Sequence, residues 1–208
     1  MPEDNPDNVT FWDDRYRDGR DGWDIGQPAP PFVDLLASPD APPAGPLVVL
    51  GSGRGHDALL FARHGFTVTG IDFSPTAVAD ATQAARAAGV RADFLQHDIF
   101  TLDESYNGTF RYILEHTCFS AIYPRRREEY VRLVHRLLRP DGLYIALFFA
   151  HDRWGGPPFG TNAAEIRRLF GPHFSIEKLE PPAHSISQRE GEELFALMRP
   201  LAVSRDTA

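Results

Sequence analysis

The chain has 208 residues, of which 42% are hydrophobic, so it can bury a core and is not disordered throughout. Its formal net charge of −8 argues against a broad basic surface for duplex nucleic acid or anionic lipid. The single cysteine, the lack of an apolar run of about 18 residues and the lack of a leader predict a cytoplasmic protein without a membrane span. Its size suits a monomer.

The first 45 residues differ in composition from the rest of the chain. Residues 1–10 are polar, and we expect a flexible N-terminus there. An aromatic segment follows, FWDDRYRDGRDGWDIGQPAPPFVDLL, and then a connector rich in Pro and Ala. We therefore separate an N-terminal segment, residues 11–45, from a core at residues 46–204. We place both in a single domain, residues 11–204.

Short apolar runs and segments of helical period alternate along the core. Strands are predicted at 46–50, 66–72, within 91–99, and at 110–116, 143–149, 174–180 and 193–201, and helices at 56–65, 76–88, 125–139 and 163–170. This alternation is typical of a doubly wound α/β fold, in which right-handed crossovers place helices on both faces of a parallel sheet. Ligands bind such sheets outside the carboxyl ends of the strands.

The first predicted strand leads into a glycine-rich loop, LGSGRGH at residues 50–56. A dinucleotide fingerprint, G-x-G-x-x-G, requires its third glycine at position 56, which is His56. A bulky residue there crowds the helix–strand packing on which that fingerprint depends. The observed spacing, with Gly51, Gly53 and Gly55, suits a cofactor that has no pyrophosphate.

Two aspartates follow the next two predicted strands. Asp72 can accept hydrogen bonds from both hydroxyls of a ribose. Asp98 is placed to accept a hydrogen bond from the exocyclic amine of adenine. The backbone of Ile99 can also contact the adenine, and Phe73 can lie against the adenine ring. Together they describe an adenosine site, and we favour S-adenosylmethionine over NAD. A NAD(P)-dependent oxidoreductase is the alternative, and a cofactor-binding protein without turnover is a third possibility.

Three segments carry a resemblance to a known family: FWDDRYRDGRDGWDIGQPAPP, EHTCFSAIYP and GGPPFG. From about residue 11 to about residue 200 the chain resembles class I S-adenosylmethionine-dependent methyltransferases of the thiopurine S-methyltransferase family. It looks closest to the thiol and halide methyltransferases of plants and bacteria. The resemblance implies a Rossmann-like, mostly parallel sheet of seven strands with the last strand antiparallel. It also implies a small soft acceptor, namely a thiol, hydrosulfide, halide or thiopurine-like thiol; methyl transfer to another small-molecule acceptor is the alternative.

The resemblance also implies which residues hold the cofactor. Together with the glycine loop and the adenosine site, it gives ten predicted cofactor-binding residues: Trp12, Tyr16, Trp23, Gly51, Gly53, Asp72, Phe73, Asp98, Ile99 and His116. His116 departs from the Tyr or Arg of relatives. Cys118 does not coincide with the usual cysteine of the branch, whose place here is Ser120.

Methyl transfer from a sulfonium is an in-line displacement, so the protein mainly aligns the reactants and excludes water. Trp12 and Trp23 on the N-terminal segment are interpreted as a lid whose ring faces tolerate a sulfonium by cation–π attraction. A halide or an ionised thiol needs no general base; Glu115 and His116 are the nearest candidates. For Glu115 we favour contact with the cofactor's amino group. The histidines lack the spacing of a zinc site, so no metal is expected.

Overall fold

Seven strands form one sheet in the computed structural model, which describes residues 5–202. The strands are β1 (Pro46–Leu50), β2 (Thr67–Asp72), β3 (Ala92–Gln96), β4 (Phe110–His116), β5 (Leu138–Phe149), β6 (Phe174–Glu180) and β7 (Glu193–Pro200). The helices are α1 (Val9–Arg17), α2 (Pro30–Ala37), α3 (His56–Arg63), α4 (Pro75–Ala88), α5 (Cys118–Ala121), α6 (Arg127–Leu137) and α7 (Ala163–Phe170). Within residues 5–202, no helix has the length and apolar character needed to cross a bilayer.

The strand order across the sheet is β3-β2-β1-β4-β5-β7-β6. Neighbouring strands from β3 to β5 are parallel, whereas β7 runs antiparallel between β5 and β6. The order reverses between β1 and β4, which opens a crevice at the carboxyl ends of these two strands. The predicted fold, a mostly parallel seven-stranded sheet with an antiparallel last strand, is confirmed.

The alternation of side chains along β1 explains why PLVVL is apolar throughout. Val48 and Leu50 pack into one core with residues of α6 and α7, while Leu47 and Val49 pack into a second core with residues of α2 and α3. The sheet therefore carries helices on both faces, and every side chain of β1 after Pro46 is buried.

The boundary between α6 and β5 differs from the prediction. The helical pattern was extended to residue 139, but α6 ends at Leu137 and β5 begins at Leu138, five residues before the predicted strand. Pro140 disfavours helical backbone at the preceding residue, and Leu138 instead pairs with Phe110 of β4. A register shift between Phe110 and Tyr112 accommodates the residues around Pro140.

The N-terminal segment contains two helices for which the sequence analysis assigned no elements. Helix α1 begins at Val9, where the Asn8 side chain accepts the backbone N–H of Thr10 at 3.1 Å. The indole N–H of Trp12 donates to the carbonyl of Pro6 at 2.9 Å. Part of the segment expected to be flexible, residues 1–10, thus belongs to α1 and its cap, and residues 1–4 lie outside the described range.

Candidate active site

A cavity of about 1160 Å³ lies at the carboxyl edge of the sheet. All ten predicted cofactor-binding residues line it: Trp12, Tyr16, Trp23, Gly51, Gly53, Asp72, Phe73, Asp98, Ile99 and His116. Typical pockets for small ligands have volumes of about 300–1,000 Å³. This cavity therefore has room for a nucleoside cofactor together with a small second molecule.

The glycine loop between β1 and α3 is tightly packed. Gly51 and Gly53 have φ values of 64° and 51°, a left-handed conformation that glycine adopts without strain. A Cβ atom on Gly51 would come within 3.0 Å of Cys118 Sγ, and one on Gly53 within 3.0 Å of the Tyr16 hydroxyl. The loop backbone thus contacts both α5 and α1 and forms the floor of the cavity between them.

Asp72 is buried at the end of β2, with only 7% of its surface exposed. Its Oδ2 accepts the N–H of Gly53 at 2.7 Å, and its Oδ1 accepts the N–H of Ser74 at 2.9 Å. Burial nevertheless raises the pKa of this carboxyl, so two backbone donors do not fully offset its desolvation. Each oxygen can still accept a further hydrogen bond from the cavity, as the two hydroxyls of a ribose would supply.

Asp98 caps the short 3₁₀ helix Ile99–Thr101, and its Oδ1 accepts the N–H of Phe100 at 2.9 Å. A carboxylate has about four acceptor sites, so this capping bond is compatible with a hydrogen bond from an adenine amine. Phe73 lines the same cavity, where its ring can contact the base. The residues at this end of the cavity therefore fit an adenine ring.

Three aromatic side chains of the N-terminal segment form a cluster over the glycine loop. Trp23 packs edge-to-face on Trp12 and on Tyr16, with ring centroids 5.3 Å and 5.4 Å apart. The indole N–H of Trp23 donates to the Tyr16 hydroxyl at 3.1 Å. Burial raises the pKa of Tyr16, which keeps the phenol neutral. The cluster covers one side of the cavity.

Two side chains of the glycine loop hold this cluster in place. Arg54 binds Asp21 at 2.9 Å and Asp24 at 3.2 Å, and it also pairs with Asp80 of α4. His56 Nε2 lies 3.1 Å from Asp24 Oδ1. The hydrogen bond to Asp24 raises the pKa of His56. Ion pairs therefore link the glycine loop at the floor of the cavity to the N-terminal segment that covers it.

Another part of the cavity wall contains a chain of three polar side chains, Asp57, His116 and Arg189. The Asp57 carboxylate accepts the N–H of Ala29 at 2.7 Å through Oδ1 and lies 2.8 Å from His116 Nδ1 through Oδ2. Arg189 Nη1 donates to His116 Nε2 at 2.9 Å, and Arg189 Nη2 donates to the carbonyl of Trp23 at 2.7 Å. All three side chains line the cavity and are largely buried.

The sequence analysis did not identify Asp57 and Arg189 as site residues. Asp57 lies in the first turn of α3, where its position directly after the glycine loop was the available signal. Arg189 lies in the connection between β6 and β7, residues 181–192, far in sequence from every motif. The loop with GGPPFG reaches the same cavity, where Gly156, Pro157 and Pro158 are among the lining residues.

Glu115 does not have the position that we favoured for it. Its side chain is 0% exposed and does not line the cavity, and its Oε1 accepts the N–H of Phe119 at 3.0 Å. Burial raises the pKa of Glu115 to about 8. The carboxyl therefore lies beneath the turn at Thr117 and is not part of the cavity lining.

Residues 7–199 match the family described as Thiopurine S-methyltransferase (TPMT). The chain belongs to this family. Thiocyanate methyltransferase 1 from Brassica oleracea is 31% identical over 186 residues, which cover 88% of this chain and 81% of the relative. Thiopurine S-methyltransferase from Xanthomonas campestris pv. campestris is 28% identical over 191 residues, which cover 83% of this chain and 86% of the relative.

A solved structure supports the same fold. The 1,6-didemethyltoxoflavin-N1-methyltransferase of Burkholderia thailandensis, with S-adenosylhomocysteine bound, superposes with a TM-score of 0.74 at 24% identity and covers 93% of this chain and 87% of its own. The predicted family, the activity of a methyltransferase and the cofactor S-adenosylmethionine are thereby confirmed. The alternative of a NAD(P)-dependent oxidoreductase has no support from the family.

The buried carboxyl of Glu115 generates a prediction for the pH dependence of stability. Its folded pKa of about 8 exceeds the usual value of 4.5, so its contribution is full below about pH 4.5 and is lost as pH rises through about 8. We expect Glu115→Gln to raise the melting temperature relative to wild type at pH 9 more than at pH 5. Thermal unfolding at both pH values measures this, with exposed Glu104→Gln as the control; an equal difference at both pH values would contradict it.

The contact between His56 and Asp24 generates a second prediction. Because the folded pKa of His56 is raised, its stabilisation is full below about pH 6.5 and is lost as pH rises through the folded pKa. A partly exposed ion pair contributes up to about 1 kcal/mol, or about 2–4 °C in a chain of this size. We expect His56→Gln to lower the melting temperature by this amount at pH 5.5 and by less at pH 8.5. A deficit that is constant with pH would exclude a charged pair.

Proposed function

We propose that this protein transfers the methyl group of S-adenosylmethionine to a small soft nucleophile: a thiol, hydrosulfide or halide. The observation that carries the proposal is membership of the family, joined to a cavity large enough for cofactor and acceptor together. The family name refers to thiopurine sulfur and the Brassica relative's name to thiocyanate, so both names indicate soft acceptors. When bound, the cofactor supplies an electrophilic methyl group on a sulfonium.

The cofactor end of the proposed site is formed by the loops after β1, β2 and β3. Asp72 accepts the ribose hydroxyls, while Asp98 and the backbone of Ile99 hold the adenine ring. Phe73 lies against that ring. The support for these roles is that these side chains line one cavity and that the Asp72 carboxyl is buried with a raised pKa.

The N-terminal segment closes the proposed site. Trp12 and Trp23 present their rings to the cavity, where aromatic faces attract a sulfonium by about 0.5–2 kcal/mol each. The backbone at Gly51 and Gly53 faces the same space and leaves room for the amino-acid part of the cofactor. Exclusion of water by this segment strengthens the electrostatic contacts inside.

The acceptor end of the proposed site is largely apolar. Phe149, Pro157, Pro158 and Ile186 line the cavity there, and Arg189 is the buried cation beside them. A soft anion loses little hydration energy on entering such a surface compared with a hard anion, and a nearby guanidinium favours its charge. Cys118 also lines the cavity, but burial raises its thiol pKa well above the usual value, so we assign it a packing role.

The remaining parts of the proposal rest on composition. The net charge of −8 supports a partner that is a small molecule, with no nucleic acid and no membrane surface. A single cysteine supports a cytoplasmic location. The length supports a monomer.

Labelled S-adenosylmethionine tests the proposed activity directly. We expect methylated product with at least one of iodide, hydrosulfide and an aromatic thiol, detected by mass spectrometry of volatile and extracted products. Omission of each acceptor is the control for background hydrolysis. No product with any of the three acceptors would contradict the proposed function.

Asp72→Ala tests the proposed ribose contact. Loss of a charged acceptor for two hydroxyls should weaken binding of S-adenosylhomocysteine by ~1–3 kcal/mol, or about fivefold to 150-fold. Isothermal titration calorimetry measures this, with exposed Asp93→Ala of β3 as the control. An unchanged dissociation constant in Asp72→Ala would remove Asp72 from the site.

A further inference from the structure

Both ring nitrogens of His116 are held by side chains, Nδ1 by Asp57 and Nε2 by Arg189. Methyl transfer to an ionised nucleophile does not require such an arrangement. An ionised carboxylate only accepts hydrogen bonds, so its contact with His116 Nδ1 places a proton on that nitrogen. A guanidinium only donates, so its contact at 2.9 Å places a lone pair on His116 Nε2. Asp57 and Arg189 thus specify the same neutral tautomer of His116 independently.

This tautomer has the geometry of a general base. The basic nitrogen, Nε2, belongs to a side chain that lines the cavity at the end of β4. The other nitrogen donates to a carboxylate whose second oxygen is held by the backbone of Ala29. A carboxylate in this position fixes the orientation of the ring and stabilises the imidazolium that forms on proton transfer.

We propose that His116 Nε2 removes the proton from acceptors that enter the cavity as protonated thiols, which makes weakly acidic thiols substrates at neutral pH. The proposal rests on the proposed function. The S–H bond of the acceptor breaks and its proton moves to Nε2, leaving the electron pair on sulfur. That pair forms the bond to the methyl carbon, while the pair of the broken methyl–sulfonium bond stays on the departing thioether. The imidazolium then returns its proton to water.

Arg189 has to release His116 for this step. Its Nη1 occupies the Nε2 lone pair, whereas its Nη2 remains bound to the carbonyl of Trp23. An acceptor thiol that donates to Nε2 replaces one hydrogen bond with another, and the released N–H then faces the sulfur that becomes negative. Arg189 is therefore placed to donate a hydrogen bond to the developing thiolate.

Carboxylates of two elements lie around the contact between His116 and Arg189. Asp57 of α3 lies against Nδ1, and Glu193 of β7 lies 3.7 Å from Arg189. His56 lies near Asp57 on α3, and α2 contributes only the apolar ring of Phe32, at 6.0 Å between centroids. Asp57 thus lies next to the imidazole and Glu193 next to the guanidinium. The two carboxylates stabilise a transient positive charge on the imidazole ring.

The test compares iodide, which carries no proton, with a thiol whose solution pKa lies near 9. General-base catalysis typically contributes 10²–10⁴-fold. We expect His116→Gln to lower the ratio of kcat/KM for the thiol to kcat/KM for iodide by about 100-fold at pH 7. The ratio should recover as pH rises above 9, where the thiol ionises in solution. An equal loss with both acceptors, or a loss without recovery at high pH, would overturn the proposal.

Asp57→Asn tests the positioning role of the carboxylate. An amide N–H directed at Nδ1 favours the opposite tautomer, so the thiol-to-iodide ratio should fall in the same direction with the same recovery at high pH. The control is His184→Gln, because His184 contacts Asp34 at 2.7 Å in a similar pair outside the cavity. A fall in the ratio for His184→Gln equal to that for Asp57→Asn would overturn the role of the buried pair.

A readout without turnover uses the complex with S-adenosylhomocysteine and a thiol whose ionised form has its own ultraviolet absorbance. At pH 7 we expect wild type to bind this thiol as the thiolate with no net proton release to a dilute buffer, because His116 keeps the proton. His116→Gln should bind the thiol in its neutral form, or release a proton with the thiolate. The same absorbance and proton balance in both proteins would overturn the proposal.

Failure of the proposed function and failure of the proposed role of His116 give different results. If wild type methylates iodide but no protonated thiol at pH 7, the proposed function stands and the role of His116 is wrong. If wild type methylates no acceptor, the proposed function fails and the role of His116 fails with it.

Discussion

The hydrogen bond between the N–H of Gly53 and the buried carboxylate of Asp72, 2.7 Å long, joins the two loops on which the site is built. Gly53 lies in the loop after β1, and Asp72 is the last residue of β2. Because these two strands are parallel, both residues lie at the same edge of the sheet. Burial of a carboxylate is costly unless donors surround it. Here the backbone N–H groups compensate only in part, and the carboxylate oxygens can still accept hydrogen bonds from the cavity.

The cover of the cavity is built into the same loop. Arg54 and His56 lie one and three residues after Gly53 and bind acidic residues of the N-terminal segment, so the glycine loop and the aromatic cluster are linked through side chains. The acidic residues Asp21 and Asp24 flank Trp23, whose carbonyl also accepts a hydrogen bond from Arg189. Trp23 thus contacts both the aromatic cluster, through its ring, and Arg189, through its carbonyl.

The sequence was sufficient for features that depend on local pattern. The continuous apolar run of β1, the glycine spacing and the acids that end β2 and follow β3 predicted the sheet and a group of residues that the structure places in one cavity. Helices α1 and α2 were not predicted, because α1 is polar on average and its aromatic residues, Trp12 and Tyr16, pack by tertiary contacts. The early start of β5 depends on pairing with Phe110, which no local pattern reveals.

The chain of Asp57, His116 and Arg189 was less predictable for a physical reason. This chain joins α3, the end of β4 and the connection after β6, and its neighbouring members are 59 and 73 residues apart in sequence. Asp57 had the pattern of an ordinary helical residue, and Arg189 lies in a polar loop without a motif. Glu115 showed the opposite error, because a carboxyl beside His116 in sequence points to the other face of β4 and into the core.

The central claim is that one nucleoside is held by the carboxyl ends of β2 and β3 beneath the aromatic cluster. A crystal structure of the protein with S-adenosylhomocysteine tests it most directly. The account predicts electron density with both ribose hydroxyls within hydrogen-bond distance of Asp72, the adenine amine at Asp98 and the sulfur facing Trp12, Trp23 and His116. Density for the ligand outside this cavity, or with adenine and ribose away from the two aspartates, would contradict it.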